Sequence, residues 1–175
     1  MGVSLSGPVP GPSYALVWMP QSVWSVHNRR VGVGRAMTEG DMASIREEMV
    51  IDASPDAVWD ALRDVGALHT RLVPGFVTDT RLEPGARVVT FGNGQVVREL
   101  IVDIDETNRR VVWAIVDEPF RHYNGAAQVI GEVGGGCRFV WVTDLLPNEL
   151  ASHVASMMQS GLRVLKTTLE GARPT

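Results

Sequence analysis

The sequence predicts an α+β fold: a seven-stranded antiparallel sheet wrapped around a long C-terminal helix, with two short helices after the first strand. Three observations predict it. Over residues 150–170, Leu150, Val154, Met157, Met158, Gly161, Leu165 and Leu169 recur at spacings of three and four, the period of one amphipathic helix. Residues 76–145 break into six apolar segments separated by short turn-forming links. Such links join antiparallel neighbours, because a parallel crossover needs about a dozen residues or more. Finally, a lone helix with one apolar face must bury it against another layer, and only a sheet is on offer.

The elements follow in order. Residues 44–52 carry Ile45, Glu47, Met49 and Ile51 against Arg46, Glu48 and Val50, and their β-branched residues point to a first strand. Ala53-Ser54-Pro55-Asp56 then starts a helix. Ser54 suits the N-cap, Pro55 the first helical position, and Asp56 complements the helix dipole. Val58, Trp59 and Leu62 lie on one side of it. Gly66 interrupts it, residues 67–72 form a second short helical turn, and Pro74-Gly75 ends the region. Strands are then expected over 76–82, 87–91, 95–104, 109–116, 122–133 and 137–145. Asn93-Gly94 suits a tight hairpin between two of them. Asn148 is expected to cap the long helix.

Composition excludes several function classes. The net charge of −4 offers no overall pull toward nucleic acid or an acidic membrane, and the arginines are scattered without aromatic interleaving. No run approaches the roughly 18 apolar residues of a membrane span, so stable membrane insertion is not expected. The single cysteine, Cys137, cannot form an internal disulfide and fits a reducing, cytoplasmic compartment. It has no partner thiol, and histidines and carboxylates at metal-ligand spacing are lacking, so neither a metal nor a cofactor is expected. Gly134-Gly135-Gly136 joins two strands and reads as a turn, not a phosphate cradle.

Residues 1–36 differ from the rest. They hold Pro8, Pro10, Pro12 and Pro20 and no Asp or Glu. Prolines at this density oppose helix and sheet. The absence of an early Lys or Arg, with Pro20 interrupting the short apolar run at 15–19, does not fit a secretory signal. The preferred reading is a disordered extension over 1–42, with Met37 or Met42 starting the working protein, ahead of a single domain over 43–173. The other reading is an arm that docks through Trp18 and Trp24.

The order of elements, with Ala53-Ser54-Pro55-Asp56-Ala57-Val58-Trp59 at the strand-to-helix junction, resembles the SRPBCC superfamily. That superfamily includes START lipid-transfer domains and birch-pollen-allergen-like proteins. Residues 64–74, Gly85-Ala86-Arg87-Val88, Gly94 with Arg98-Glu99-Leu100, Asp105 and Trp141 resemble its bacterial polyketide cyclase/dehydrase and lipid-transport branch. The resemblance covers about 45–170. It implies a helix-grip fold and a hydrophobic ligand held between sheet and C-terminal helix: a lipid, polyketide or aromatic metabolite. It equally allows a cofactor-independent cyclase/dehydratase in the same pocket, or a partner-binding regulator without a ligand. One fold hosts many chemistries, so the site must decide.

Alternate residues of a half-buried strand share a face. Val111, Trp113 and Ile115 form one set, Tyr123, Gly125, Ala127 and Val129 another, and Phe139, Trp141 and Thr143 a third. Placed on the concave face, they oppose Met157, Met158, Gly161 and Leu165. The candidate ligand-binding residues are therefore Trp113, Ile115, Tyr123, Ala127, Trp141, Met157, Met158, Gly161 and Leu165, with Gly125, Ala127 and Gly161 expected to leave volume. Each is also an ordinary core residue by type. Candidate catalytic residues are Glu99, His69 and Tyr123. Glu99 either points inward, where burial would raise its pKa, or lies on the outer face paired to Arg98, Arg110 or another arginine. His69 sits near the expected mouth, and His122 starts a strand; a lone loop histidine is more often solvated. Tyr123 is a hydrogen-bond donor to a ligand or a core residue with its hydroxyl at the edge. The oligomeric state stays open, a homodimer included.

Overall fold

The computed structural model describes residues 41–171. The reading of 1–36 as a tail, and of Trp18 and Trp24 as docking residues, lies outside them.

Strand β1 (Ala43–Ile51) leads to helix α1 (Pro55–Arg63) and a single π-type turn (Leu68–Leu72). Six strands follow: β2 (Val77–Glu83), β3 (Ala86–Phe91), β4 (Val96–Asp105), β5 (Arg110–Ala114), β6 (His122–Gly131) and β7 (Cys137–Leu146). A 3-10 turn (Asn148–Leu150) runs into the long helix α2 (Ala151–Gly171). The sheet order is β1-β7-β6-β5-β4-β3-β2, antiparallel throughout. β2 to β7 form a meander, and β1 completes it beside β7. The two edge strands are thus consecutive in sequence, and α1 with the π turn carries the chain from one edge to the other.

Local chemistry explains the joints. Ser54 caps α1 as expected, its hydroxyl oxygen accepting from the Ala57 amide at 3.2 Å, with Pro55 at the first helical position. The π turn closes through the Val73 amide donating to the Leu68 carbonyl at 2.8 Å. Asn148 differs from expectation. It opens the 3-10 turn, whose leading residue is Pro147, and that turn has no side-chain cap bond. Proline before it supplies extended backbone but no capping oxygen, so the helix begins through a tightened turn instead.

The sheet bends where an extra residue enters one strand. Register shifts fall between Val77 and Asp79 on β2 and between Ile101 and Asp103 on β4. The concave face carries the alternating buried set expected of β6: Tyr123, Ala127 and Val129, with Gly125 between them. Val154, Met158, Gly161, Leu162, Leu165 and Leu169 form the buried stripe of α2. Polar contacts tie α2 to β1 and the residue after it. Lys166 Nζ donates to the Val50 carbonyl at 2.6 Å, Gln159 Nε2 to Glu47 Oε1 at 2.9 Å, and the Asp52 amide to Glu170 Oε1 at 2.8 Å.

Candidate functional site

A cavity of about 110 Å³ lies between the concave face, the π turn and α2. Its walls are mainly aliphatic and aromatic: Leu68, Leu72 and Val73 from the turn region, Val89, Val111, Ala127 and Phe139 from the sheet, and Val154 and Leu165 from the helix. Phe76, Phe91, Gln95, His153 and Met157 line both this cavity and a surface groove of about 410 Å³, so the cavity meets solvent there. The mouth is thus bounded by the β3–β4 hairpin on one side and the first turns of α2 on the other. Phe76 and Phe91 pack edge to face, 5.6 Å between ring centres.

Seven of the nine candidate ligand residues lie on the cavity wall: Trp113, Ile115, Tyr123, Ala127, Trp141, Met157 and Leu165. Met158 does not; it is fully buried and packs in the core beside the cavity. Adjacent residues on a helix point about 100° apart, and here Met157 faces the hollow while Met158 turns into the packed core. Gly161 is also off the wall, and its role differs from the expected one of leaving space. A Cβ there would lie 3.1 Å from the Phe76 ring and 3.3 Å from the Trp141 ring. Gly125 is similar: a Cβ would stand 2.5 Å from Trp113 Cε2. Both glycines let aromatic rings lie against backbone, and the rings fill the volume that the sequence suggested was empty.

Of the candidate catalytic residues, Glu99 and Tyr123 are on the wall and His69 is not. His69 sits half-buried in the π turn, its Nδ1 buried without a hydrogen-bond partner among the described residues. His122 is exposed at the start of β6. Glu99 takes the inward placement, and its partner is neither Arg98 nor Arg110. Arg98 is exposed and pairs with Glu83 at 3.0 Å. Glu99 Oε2 instead accepts from Arg87 Nε at 2.6 Å, directly across the β3–β4 ladder, with both side chains buried. Arg87 also donates from Nη1 to the Val65 carbonyl at 3.4 Å, and its guanidinium carbon stands 5.5 Å from the Trp113 ring centre. Burial pushes the Tyr123 phenol well above its ordinary pKa, with Thr143 and Arg87 opposing and Glu99 reinforcing the rise. Tyr123 is therefore a neutral hydroxyl across the physiological range.

The indole N–H groups of Trp113 and Trp141 are buried and have no acceptor among the described residues. The two rings stand 5.9 Å apart. Among the described residues no group of three or more His, Cys, Asp or Glu is placed to hold a metal, and no helix is long and apolar enough to cross a membrane.

Sequence reasoning missed Arg87, Phe76, Phe91, Gln95 and His153. Two signals were present. Arg87, Val89 and Phe91 alternate on one face of β3, and counting six residues either way from Asn93 sets Arg87 opposite Glu99. His153 and Met157 are four apart on α2 and so share a face.

A seven-stranded antiparallel sheet gripping one long C-terminal helix defines the helix-grip fold. The chain belongs to the polyketide cyclase / dehydrase and lipid transport family, which it matches over residues 42–170. Solved structures agree on the fold. A Bacillus thuringiensis protein of uncharacterised function superposes with a TM-score of 0.66 at 18% identity, covering 73% of this chain and 98% of its own. Norcoclaurine synthase from Thalictrum flavum, solved with dopamine and hydroxybenzaldehyde, gives 0.61 at 15%, covering 85% and 100%. Major latex-like protein 151 from Panax ginseng gives 0.61 at 16%, covering 73% and 97%. At these identities the likeness establishes the fold alone. No curated protein sequence matches the chain.

Proposed function

We propose that this protein binds one small, mainly apolar molecule in the cavity between its sheet and α2, as a single domain over 43–173 working in the cytoplasm. The observation that carries the reading is the cavity wall itself, apolar over most of its area with one polar cluster at Arg87, Glu99, Trp113 and Tyr123. Apolar walls with a few placed polar groups are what small-molecule recognition requires. The volume of about 110 Å³ suits a ring-sized body better than a long acyl chain. A ring of that kind buries on the order of 200 Å². At roughly 25 cal/mol per Å² this contributes about 5 kcal/mol before association costs. Apolar contact alone then supports weak binding, and polar contacts must supply the rest.

Native mass spectrometry of the protein purified from its source tests the proposal. A single co-purifying small molecule supports it and names its chemical class. A protein that carries none, and gains none when ring compounds are added, refutes it.

A second reading has a specific observation in its favour: a carboxylate, Glu99, lies in the cavity wall with a neutral phenol, Tyr123, beside the same hollow. In a cyclase/dehydratase reaction Glu99 would accept a proton and Tyr123 would donate a hydrogen bond to a developing oxyanion. Norcoclaurine synthase, a protein of similar fold solved with dopamine and hydroxybenzaldehyde, is in keeping with this reading. Glu99→Gln should abolish turnover of a candidate polyketone while leaving its binding; turnover by Glu99→Gln at the native rate refutes this reading.

A further inference from the structure

We propose that Arg87, held in place by Glu99, is the polar anchor of this cavity and selects uncharged molecules that carry a hydrogen-bond-accepting oxygen. The inference rests on the ligand-binding reading above and narrows it to a class of ligand.

Donors without an acceptor gather at this end of the cavity. Arg87 spends Nε on Glu99 and Nη1, at long range, on the Val65 carbonyl. The guanidinium carries five N–H groups, and among the described residues it makes no other hydrogen bond. Trp113 is 5% exposed, lines the same wall, and its indole N–H has no acceptor among the described residues; the Trp141 N–H is in the same position. An indole nitrogen can only donate. Buried donors without partners are costly, so a ligand that fits this wall brings an acceptor. A purely hydrocarbon ligand leaves these donors unmet.

Charge decides the kind of acceptor. Arg87 and Glu99 already balance at 2.6 Å, both side chains less than a tenth exposed. A ligand carboxylate would bring a second negative charge beside Glu99 with only one cation to share, and burying uncompensated charge is strongly unfavourable. A ketone, aldehyde, ester or amide oxygen accepts the spare N–H groups without changing the charge. The register supports a positioning role for Glu99: Arg87 and Glu99 face one another across β3 and β4, and the guanidinium carbon stands 5.5 Å from the Trp113 ring centre on the same wall.

The test uses three ring compounds of matched size: acetophenone as the uncharged acceptor, ethylbenzene as the hydrocarbon, and benzoate as the anion. Affinities are measured by calorimetric titration into the full-length protein, with the indole N–H resonances of Trp113 and Trp141 followed by NMR. The expected order is acetophenone roughly tenfold tighter than ethylbenzene, the worth of one hydrogen bond to a charged donor, with benzoate the weakest. In R87M/E99M, which removes both charges together, acetophenone should fall about tenfold to the level of ethylbenzene, while ethylbenzene binds at least as well as before. Equal binding of acetophenone and ethylbenzene by the unaltered protein overturns the anchor but leaves the cavity reading standing. So does benzoate binding as tightly as acetophenone, or acetophenone unaffected in R87M/E99M. Failure of all three compounds to bind overturns the cavity reading, and the anchor with it.

Discussion

Gly125→Ala tests how the cavity is built. Gly125 faces Trp113 across the β5–β6 ladder, and the indole lies flat where a side chain would stand. A Cβ on Gly125 falls 2.5 Å from Trp113 Cε2 and 2.7 Å from both Cζ2 and Nε1. Ordinary van der Waals contact begins at 3.4 Å, so the ring must retreat by about 0.9 Å or more. It has little freedom to do so, with Trp141 at 5.9 Å and the Arg87 guanidinium at 5.5 Å from its centre. Overpacking of this kind costs about 1–3 kcal/mol. With a urea dependence of roughly 1–3 kcal/mol per molar, the unfolding midpoint should fall by about 1 M. Tryptophan fluorescence during urea unfolding reads the shift. The displaced ring also intrudes on the cavity, so acetophenone should bind about tenfold more weakly, a loss near 1.4 kcal/mol. Pairing Gly125→Ala with Trp113→Phe relieves the clash and should recover most of the stability. A Gly125→Ala protein within about 0.5 kcal/mol of the parent, the size of a neutral surface change, would refute the placement of Trp113.

Three further predictions follow from the same geometry. Arg87→Met alone leaves the Glu99 carboxylate buried without its cation and should cost about 3–5 kcal/mol in urea unfolding, whereas Arg87→Met with Glu99→Met should be close to neutral; two single variants whose costs simply add would contradict the pairing. Ala127→Phe should fill the cavity from β6 and abolish ring-compound binding in calorimetric titration while the far-ultraviolet circular dichroism stays unchanged. Asp60, held below its ordinary pKa by hydrogen bonding to Arg71, contributes stability that is present above the unfolded carboxylate pKa and lost as pH falls through its lowered folded value. The effect is small because the pair is exposed, so the melting temperature should decline gently as pH falls below about 4, and Arg71→Gln should flatten part of that decline.

Much of the fold was legible because its signals are local or periodic. The three-and-four spacing over Val154, Gly161, Leu165 and Leu169 reports a buried helical face directly. Ser54-Pro55 marks a helix start by its own chemistry, and strands joined by short links leave few topologies open. The site was legible only in part. Strand alternation placed Trp113, Tyr123, Ala127 and Trp141 on the concave face, which is a one-strand inference. The identity of Glu99's partner needed the register of two strands, and several arginines were eligible by charge. The roles of Gly125 and Gly161 needed to know which rings cross over them, a tertiary fact that spacing along one element does not contain. Met158 was misplaced because the buried stripe of α2 is wider than the part of it that faces the hollow.

The central claim is that a ligand sits within the sheet and helix, not on the surface. Intermolecular nuclear Overhauser effects between acetophenone and the methyl-labelled protein test it most directly. Contacts to the methyl groups of Val89, Ala127 and Leu165, all on the cavity wall, are the predicted result. Contacts confined to exposed methyls such as Val50, Val102 or Val133 would contradict it.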